Sequence, residues 1–162
     1  MDDAGPGRLG RFKQRSGRGS TMNNDQIYRR WFEEVWNQGS EQTIDELLPQ
    51  NVAAHGLADP GETHRGPEAF KEFWRQLRGA FPDMHFVIDG LVSEGNIVAG
   101  RWTVKMTHKG DHLGVPPTQK PVTITGMTFL RIENGKIYEG WNNWDQLTLT
   151  RQLGLPLDLR PG

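Results

Sequence analysis

The apolar residues of this chain keep one rhythm before Pro82 and another after it. Upstream, Ile27, Trp31 and Val35 form one row and Tyr28, Phe32 and Trp36 the row beside it. That stripe, at a period of 3.6, predicts an amphipathic helix. Asn24 or Asp25 is placed to cap it and Gly39 to end it. Ser40 caps a short second helix in "EQTIDELL", which Pro49 stops. A third opens at "RGPEAF", with Pro67 at its first position and Ala69, Phe70, Phe73, Trp74 and Leu77 on one face. Downstream the period falls to two, through "MHFVIDGLVSEGNIVAGRWTVKMTH", "PVTITGMTFLRIENG" and "KIYEGWNNWD", with turn signals at Gly95-Asn96 and Asn134-Gly135. Helices followed by an antiparallel meander predict an α+β domain with helices covering one face of a sheet.

Alternation sorts the strand residues by face. Val98, Gly100, Trp102, Val104, Met106 and His108 share one side of their strand, as do Val122, Ile124, Gly126, Thr128, Leu130 and Ile132 in the next. These rows are expected to meet the helices. The opposite side, with Thr123, Thr125, Met127 and Phe129, is partly apolar too, which predicts a homodimer formed through the outer face of the sheet.

At 162 residues the chain is the size of one domain, read as residues 23–157 between a disordered basic tail at 1–22 and a short tail at 158–162. The first 21 residues carry five basic and two acidic side chains, so that excess of +3 within a net charge of −1 leaves −4 on the remainder. A body of that charge is not a nucleic-acid binder, and no apolar run approaches a membrane span. The tail lacks the hydrophobic segment of a secretory signal, which points to a cytoplasmic protein. With no cysteine, disulfides, thiol nucleophiles and thiolate metal sites are excluded. "GPGRLG" matches a dinucleotide loop by letter only, since no strand precedes it and no helix follows. There is no G-x-S-x-G among the four serines. His108 and His112 share a face only on a helix, which Gly110, Gly114 and Pro116 oppose, so no metal site is assigned. His64 and His85 read as exposed surface. Six tryptophans and seven phenylalanines are many for this length and favour a pocket for a flat organic molecule.

The chemistry concentrates in "EGWNNWDQLTLTRQLG", residues 139 to 154. Asp145 has two readings. It is either the N-cap of the segment that follows or a carboxylate enclosed by Trp102, Trp141 and Trp144, whose apolar surroundings would raise its pKa into the range of a general base. Asn142 or Asn143 would then donate to an oxygen gaining negative charge. A two-residue Asn134-Gly135 turn pairs Thr128 with Trp141 and points Trp141, Asn143 and Asp145 inward. A bulge near Gly140 reverses this and turns Asn142 and Trp144 inward instead. His55 lies in the short apolar segment "NVAAHGL", and His108 ends an inward row.

"GPEAFKEF", "AFPDMHF", "RWTVKMTHKGDHLGVPPT" and "RIENGKIYEGWNNWDQLTLTRQLG" together resemble the SnoaL-like polyketide cyclases, or ester cyclases, of the nuclear transport factor 2-like superfamily, over about residues 24 to 155. The resemblance implies a cone-shaped, curved antiparallel sheet packed against three N-terminal helices, a deep apolar pocket, and a dimer. It also implies ring closure by intramolecular aldol condensation without cofactor or metal, an aspartate taking the proton. That aspartate falls on Asn142, the second acidic position on Asp145, and the assisting histidine on Thr128. The expected assignment is therefore Asp145 as base, with Asn142 and His108 binding the enolate oxygen of a carbonyl-bearing small molecule. His55, Phe73, Trp102, Met106, Thr128 and Trp141 would hold it. A pocket that binds without catalysis, or an isomerase, hydroxylase or epoxide hydrolase on the same scaffold, is the alternative. Strand alternation turns Arg101, which epoxide hydration would need, away from the pocket.

Overall fold

The computed structural model describes residues 22–59 and 61–156. The tails expected at 1–22 and 158–162 lie, apart from Met22, outside the described residues. Helix α1 (Asn24–Arg30) is capped by Asn23, just before the two residues proposed for that role. The Asn23 side chain accepts from the Gln26 N–H at 2.8 Å and the Gln26 side chain accepts from the Asn23 N–H at 2.9 Å, a reciprocal cap. The helix continues as a π-helical segment, Trp31–Asn37, with the Gln38 N–H reaching back five residues to Glu33 O. This wider turn buries Trp31, Phe32, Val35 and Trp36 together. Helix α2 (Glu41–Leu47) starts at Ser40, whose hydroxyl accepts the Thr43 N–H, and α3 (Gly66–Ala80) carries Pro67 in its first turn.

Four strands form the meander: β3 (His85–Glu94), β4 (Ile97–Thr107), β5 (Pro121–Glu133) and β6 (Lys136–Trp144). Two strands that the sequence did not announce, β1 (Ala53–His55) and β2 (Thr63–Arg65), extend the sheet to the order β2-β1-β6-β5-β4-β3. Every pair is antiparallel except β1 with β6. The sheet is therefore mixed rather than antiparallel throughout, because the chain leaves α2 and runs alongside β6 in the same direction. A fourth helix, α4 (Gln146–Leu153), follows β6 and buries Leu149 and Leu153.

The inward rows of β4 and β5 are buried against α1, its π-helical continuation and α3. Two glycines in those rows make room for rings. A Cβ at Gly100 would lie 2.5 Å from the Tyr28 hydroxyl oxygen, and one at Gly126 would lie 2.3 Å from the Trp102 ring. The Tyr28 hydroxyl then sits 3.3 Å from the carbonyls of Gly100 and Thr128. Burying a ring such as Phe32 contributes roughly 1.5–3 kcal/mol relative to leaving it in water.

Candidate active site

Between the helices and the sheet lies a cavity with about 70 Å³ open to the centres of water-sized molecules. One water needs roughly 10–15 Å³ on that measure, so the interior is a real void and not a packing flaw. Trp31, Phe32 and Trp36 come from the first helical unit, Phe70, Phe73 and Leu77 from α3, and Trp102, Val104 and Met106 from β4. Ala54, Leu57, Gly140 and Trp144 close the side toward β1 and β6. Among the described residues two lining side chains carry oxygen, Thr128 and Asn142, and none of the lining residues is ionisable.

One extra residue puts Asn142 there. The turn pairs Glu133 with Lys136 and Ile132 with Ile137, as a two-residue loop requires, but Arg131 then pairs with Glu139 and Thr128 with Asn142. Tyr138 is the bulge, two residues before the position considered at Gly140. Beyond it Gly140, Asn142 and Trp144 face the cavity, while Trp141 and Asn143 are exposed. The two positions that the resemblance aligns with a catalytic aspartate and histidine, Asn142 and Thr128, are thereby cross-strand partners.

Their hydrogen bonds are ordered by elimination. The Trp102 indole N–H can only donate, and it meets the Thr128 hydroxyl oxygen at 3.1 Å. That hydroxyl donates in turn to Asn142 Oδ1 at 2.9 Å. Asn142 Nδ2 donates to the His55 carbonyl at 3.0 Å, which fixes the amide's orientation. Of the amide's two N–H groups one is committed, and the second is available to a ligand oxygen.

Phe73, Trp102 and Met106 share this wall with Asn142 and Thr128. Four other expected positions do not. Asp145 is exposed and caps α4, its carboxylate accepting the Thr148 N–H at 2.9 Å. The Thr148 hydrogen bonds hold its carboxyl below the usual aspartate range, opposite to the expected rise, because the bulge and the start of α4 take it out of the indole enclosure. Trp141, on the far side of the sheet, stacks on the His55 ring with centroids 5.5 Å apart. His55 follows the same alternation: its Nδ1 lies 2.9 Å from the Thr63 hydroxyl and its Nε2 2.9 Å from Glu139 Oε1, on the outer face. His108 is fully buried but off the cavity wall, where its Nδ1 accepts the Thr118 N–H at 3.1 Å and its ring packs on Phe81. His64, expected at the surface, is half-buried with its ring 5.9 Å from that of Phe73. Arg101 is exposed and pairs with Asp89. Among the described residues no three His, Asp or Glu side chains converge as a metal-binding group, and no helix is long and apolar enough to cross a membrane.

Sequence reasoning did not assign to the pocket, among others, Trp31, Phe32 and Trp36, whose helical stripe read as core, or Ala54 and Leu57, which belong to a segment too short to show alternation.

The profile of the SnoaL-like polyketide cyclase family matches residues 26–153. The chain is 28% identical over 124 residues to the aklanonic acid methyl ester cyclase DauD of Streptomyces sp. (strain C5), an alignment covering 76% of this chain and 77% of that one. Among solved structures, wild-type IdmH of Streptomyces antibioticus superposes with a TM-score of 0.72 at 28% identity, covering 83% of this chain and 100% of that one. A SnoaL-like protein of Jannaschia sp. CCS1, at 22% identity, shares the fold with a TM-score of 0.75, covering 83% of this chain and 93% of that one. With a profile match that spans the helices, the cavity and both strands of the Thr128–Asn142 pair, the chain belongs to the SnoaL-like polyketide cyclase family.

Proposed function

We propose that this protein is a cyclase-type enzyme that encloses a carbonyl-bearing small molecule in the apolar cavity and meets one of its oxygens with the Asn142 amide. The observation that carries the reading is the composition of the wall: aromatic and aliphatic side chains, interrupted by one hydrogen-bonded Thr128–Asn142 pair. A relative named as a cyclase of a methyl ester supports ring closure as the reaction class. In an aldol closure a carbon beside one carbonyl loses a proton and bonds to a second carbonyl carbon, whose oxygen becomes a hydroxyl. Atoms balance without a co-reactant. Here the Asn142 N–H stabilises the enolate oxygen, and the walls hold the two carbons within bonding reach. Asparagine takes no proton, so the carbon-bound proton passes to solvent, and solvent returns one to the new alkoxide. The exposed Met127, Phe129 and Trp141 are the surface through which two copies would pair.

The test is product formation from a β-diketo methyl ester followed by mass spectrometry. Asn142→Ala lowers kcat/KM by at least about tenfold, the loss of one hydrogen bond to a charged oxygen. A wild-type protein that binds the ester tightly and forms no product supports the second reading, a binding protein, which the absence of an ionisable wall residue favours.

A further inference from the structure

His55 was expected to touch a ligand, and its ring instead lies across the sheet from the cavity. Its main chain, however, reaches the site, because the His55 carbonyl accepts the Asn142 Nδ2 hydrogen bond at 3.0 Å. The strand carrying that carbonyl, β1, has three residues and sits between β2 and β6. A strand that short has few ladder bonds to hold it. Side chains on the outer face supply the rest. Thr63 on β2, His55 on β1 and Glu139 on β6 are joined by two contacts of 2.9 Å, and Arg131 on β5 reaches Glu139 Oε2 at 3.4 Å. Arg131 also binds Glu133 at 2.6 Å, and Glu133 accepts from Asn96 at 3.0 Å. The array thus crosses four neighbouring strands. The largest influence on Glu139 is its hydrogen bond to His55, which holds the carboxyl below the usual glutamate range. Trp141 covers the imidazole on one side. On the next residue of the chain, Gly56, a Cβ would stand 2.3 Å from the Asn142 carbonyl oxygen, so β1 is already pressed against residue 142.

We propose that His55 is the positioning residue for Asn142: through Thr63 and Glu139 it fixes β1 on the outer face, and its carbonyl thereby sets the direction of the amide on the inner face. The role rests on the reading that Asn142 meets the ligand oxygen. A ring that does not touch the ligand then governs how well the ligand is held. Loosening β1 lets the amide rotate about its side chain, and the second N–H loses its aim.

The experiment uses the full chain labelled with nitrogen-15. The Asn142 side-chain NH₂ pair is identified by its disappearance in Asn142→Asp. In His55→Ala the Asn142 Nδ2 proton that is donated to the main-chain carbonyl of residue 55 shifts upfield and exchanges with solvent about tenfold faster, as expected when a part-buried hydrogen bond opens. Glu139→Gln and Thr63→Val move it in the same direction by less, and they carry the test where His55→Ala gives no folded spectrum. Val87→Thr, an exposed outer-face change on β3 outside the array, leaves it unmoved. Binding of 1-tetralone weakens about tenfold in His55→Ala while tetralin, the same skeleton without the ketone, changes less than about twofold. An Asn142 signal unchanged in all three array variants overturns the proposal. A signal that moves, with ketone binding insensitive to Asn142→Leu, leaves the coupling standing and removes the ligand reading instead.

Discussion

The two faces of β6 differ more than any two separate elements of the molecule. Trp141 and Asn142 are adjacent in sequence, yet Asn142 hydrogen-bonds inside an apolar wall and Trp141 lies over a charged, half-exposed array. On the inner face the polar groups are neutral: indole to hydroxyl, hydroxyl to amide, amide to carbonyl. On the outer face imidazole, carboxylate and guanidinium meet within reach of water. Neutral groups suit the inside because burying an unpaired charge is far more costly than burying a satisfied amide. The same sheet therefore carries, among the described residues, a wall of non-ionisable side chains on one side and a carboxylate held below its ordinary range on the other.

The largest effect comes from joining the faces too tightly. Gly56 has a φ of +68° and passes over Asn142, where an added Cβ would meet backbone oxygen at 2.3 Å. Gly56→Ala places an L side chain in a left-handed conformation, at roughly 1–2 kcal/mol, and forces β1 away from β6 as well. A loss of at least about 3 kcal/mol in urea unfolding is expected. A loss below 1 kcal/mol would mean that β1 is not held against residue 142. Next in size is Asn142→Asp, which restores the aspartate of the family resemblance. Among the described residues no cation lines the wall, and the new carboxylate would face the His55 carbonyl, so the folded state raises its pKa. The cost of about 2 kcal/mol is absent below the ordinary aspartate pKa and grows as pH rises from there to the raised folded value. If the variant gains turnover as it loses stability, a carboxylate at position 142 is able to take the proton.

Thr128→Val separates the faces more cleanly. It leaves the Trp102 N–H and Asn142 Oδ1 each without a partner, a loss of about 2 kcal/mol. Because none of the three groups titrates, the drop in melting temperature is the same from pH 4 to pH 8. Glu139→Gln gives the opposite profile. The loss near neutrality is below about 1 kcal/mol, since the pair is partly exposed. The Glu139 carboxyl lies below its ordinary 4.5, so its contribution is present above that value and disappears as pH falls through the folded pKa. The variant therefore flattens the acid side of the stability curve. Parallel pH curves for the two variants would erase the distinction between the faces.

Most of the inner face is legible in the sequence. The helical stripe from Ile27 to Trp36 and the rows from Val98 to His108 and from Val122 to Ile132 are long enough for periodicity to outweigh local noise, and Thr128 follows from its row. What sequence does not contain is the location of a single unpaired residue. A bulge at Tyr138 and one at Gly140 are equally compatible with "KIYEGWNNWD", and the choice depends on how β6 meets β5 and β1 in space. The side of the sheet that the His55 ring takes is illegible for a related reason, because a strand of three residues offers no alternation and its parallel pairing is a tertiary event. His108 lies inward as its row implies, but an inward side chain reaches the cavity only where the cavity is, and at the end of β4 Phe81 and Thr118 occupy that space.

The smallest expected effect concerns the residue with the strongest sequence claim. Asparagine caps helices about as well as aspartate, so Asp145→Asn keeps the acceptor for the Thr148 N–H and leaves the melting temperature at neutral pH almost unchanged. The Asp145 carboxyl is held below its ordinary 3.8 by the hydrogen bonds to Thr148, so its contribution is present above that value and is lost as pH falls through the folded pKa. In the variant that loss is missing, and thermal melts between pH 2 and pH 5 detect it. Ligand binding and turnover stay at wild-type levels, because the side chain lies outside the wall on which Asn142 sits. A variant that melts normally and no longer converts the ester would return the proton-accepting role to position 145 and require α4 to unwind from its first turn when substrate enters.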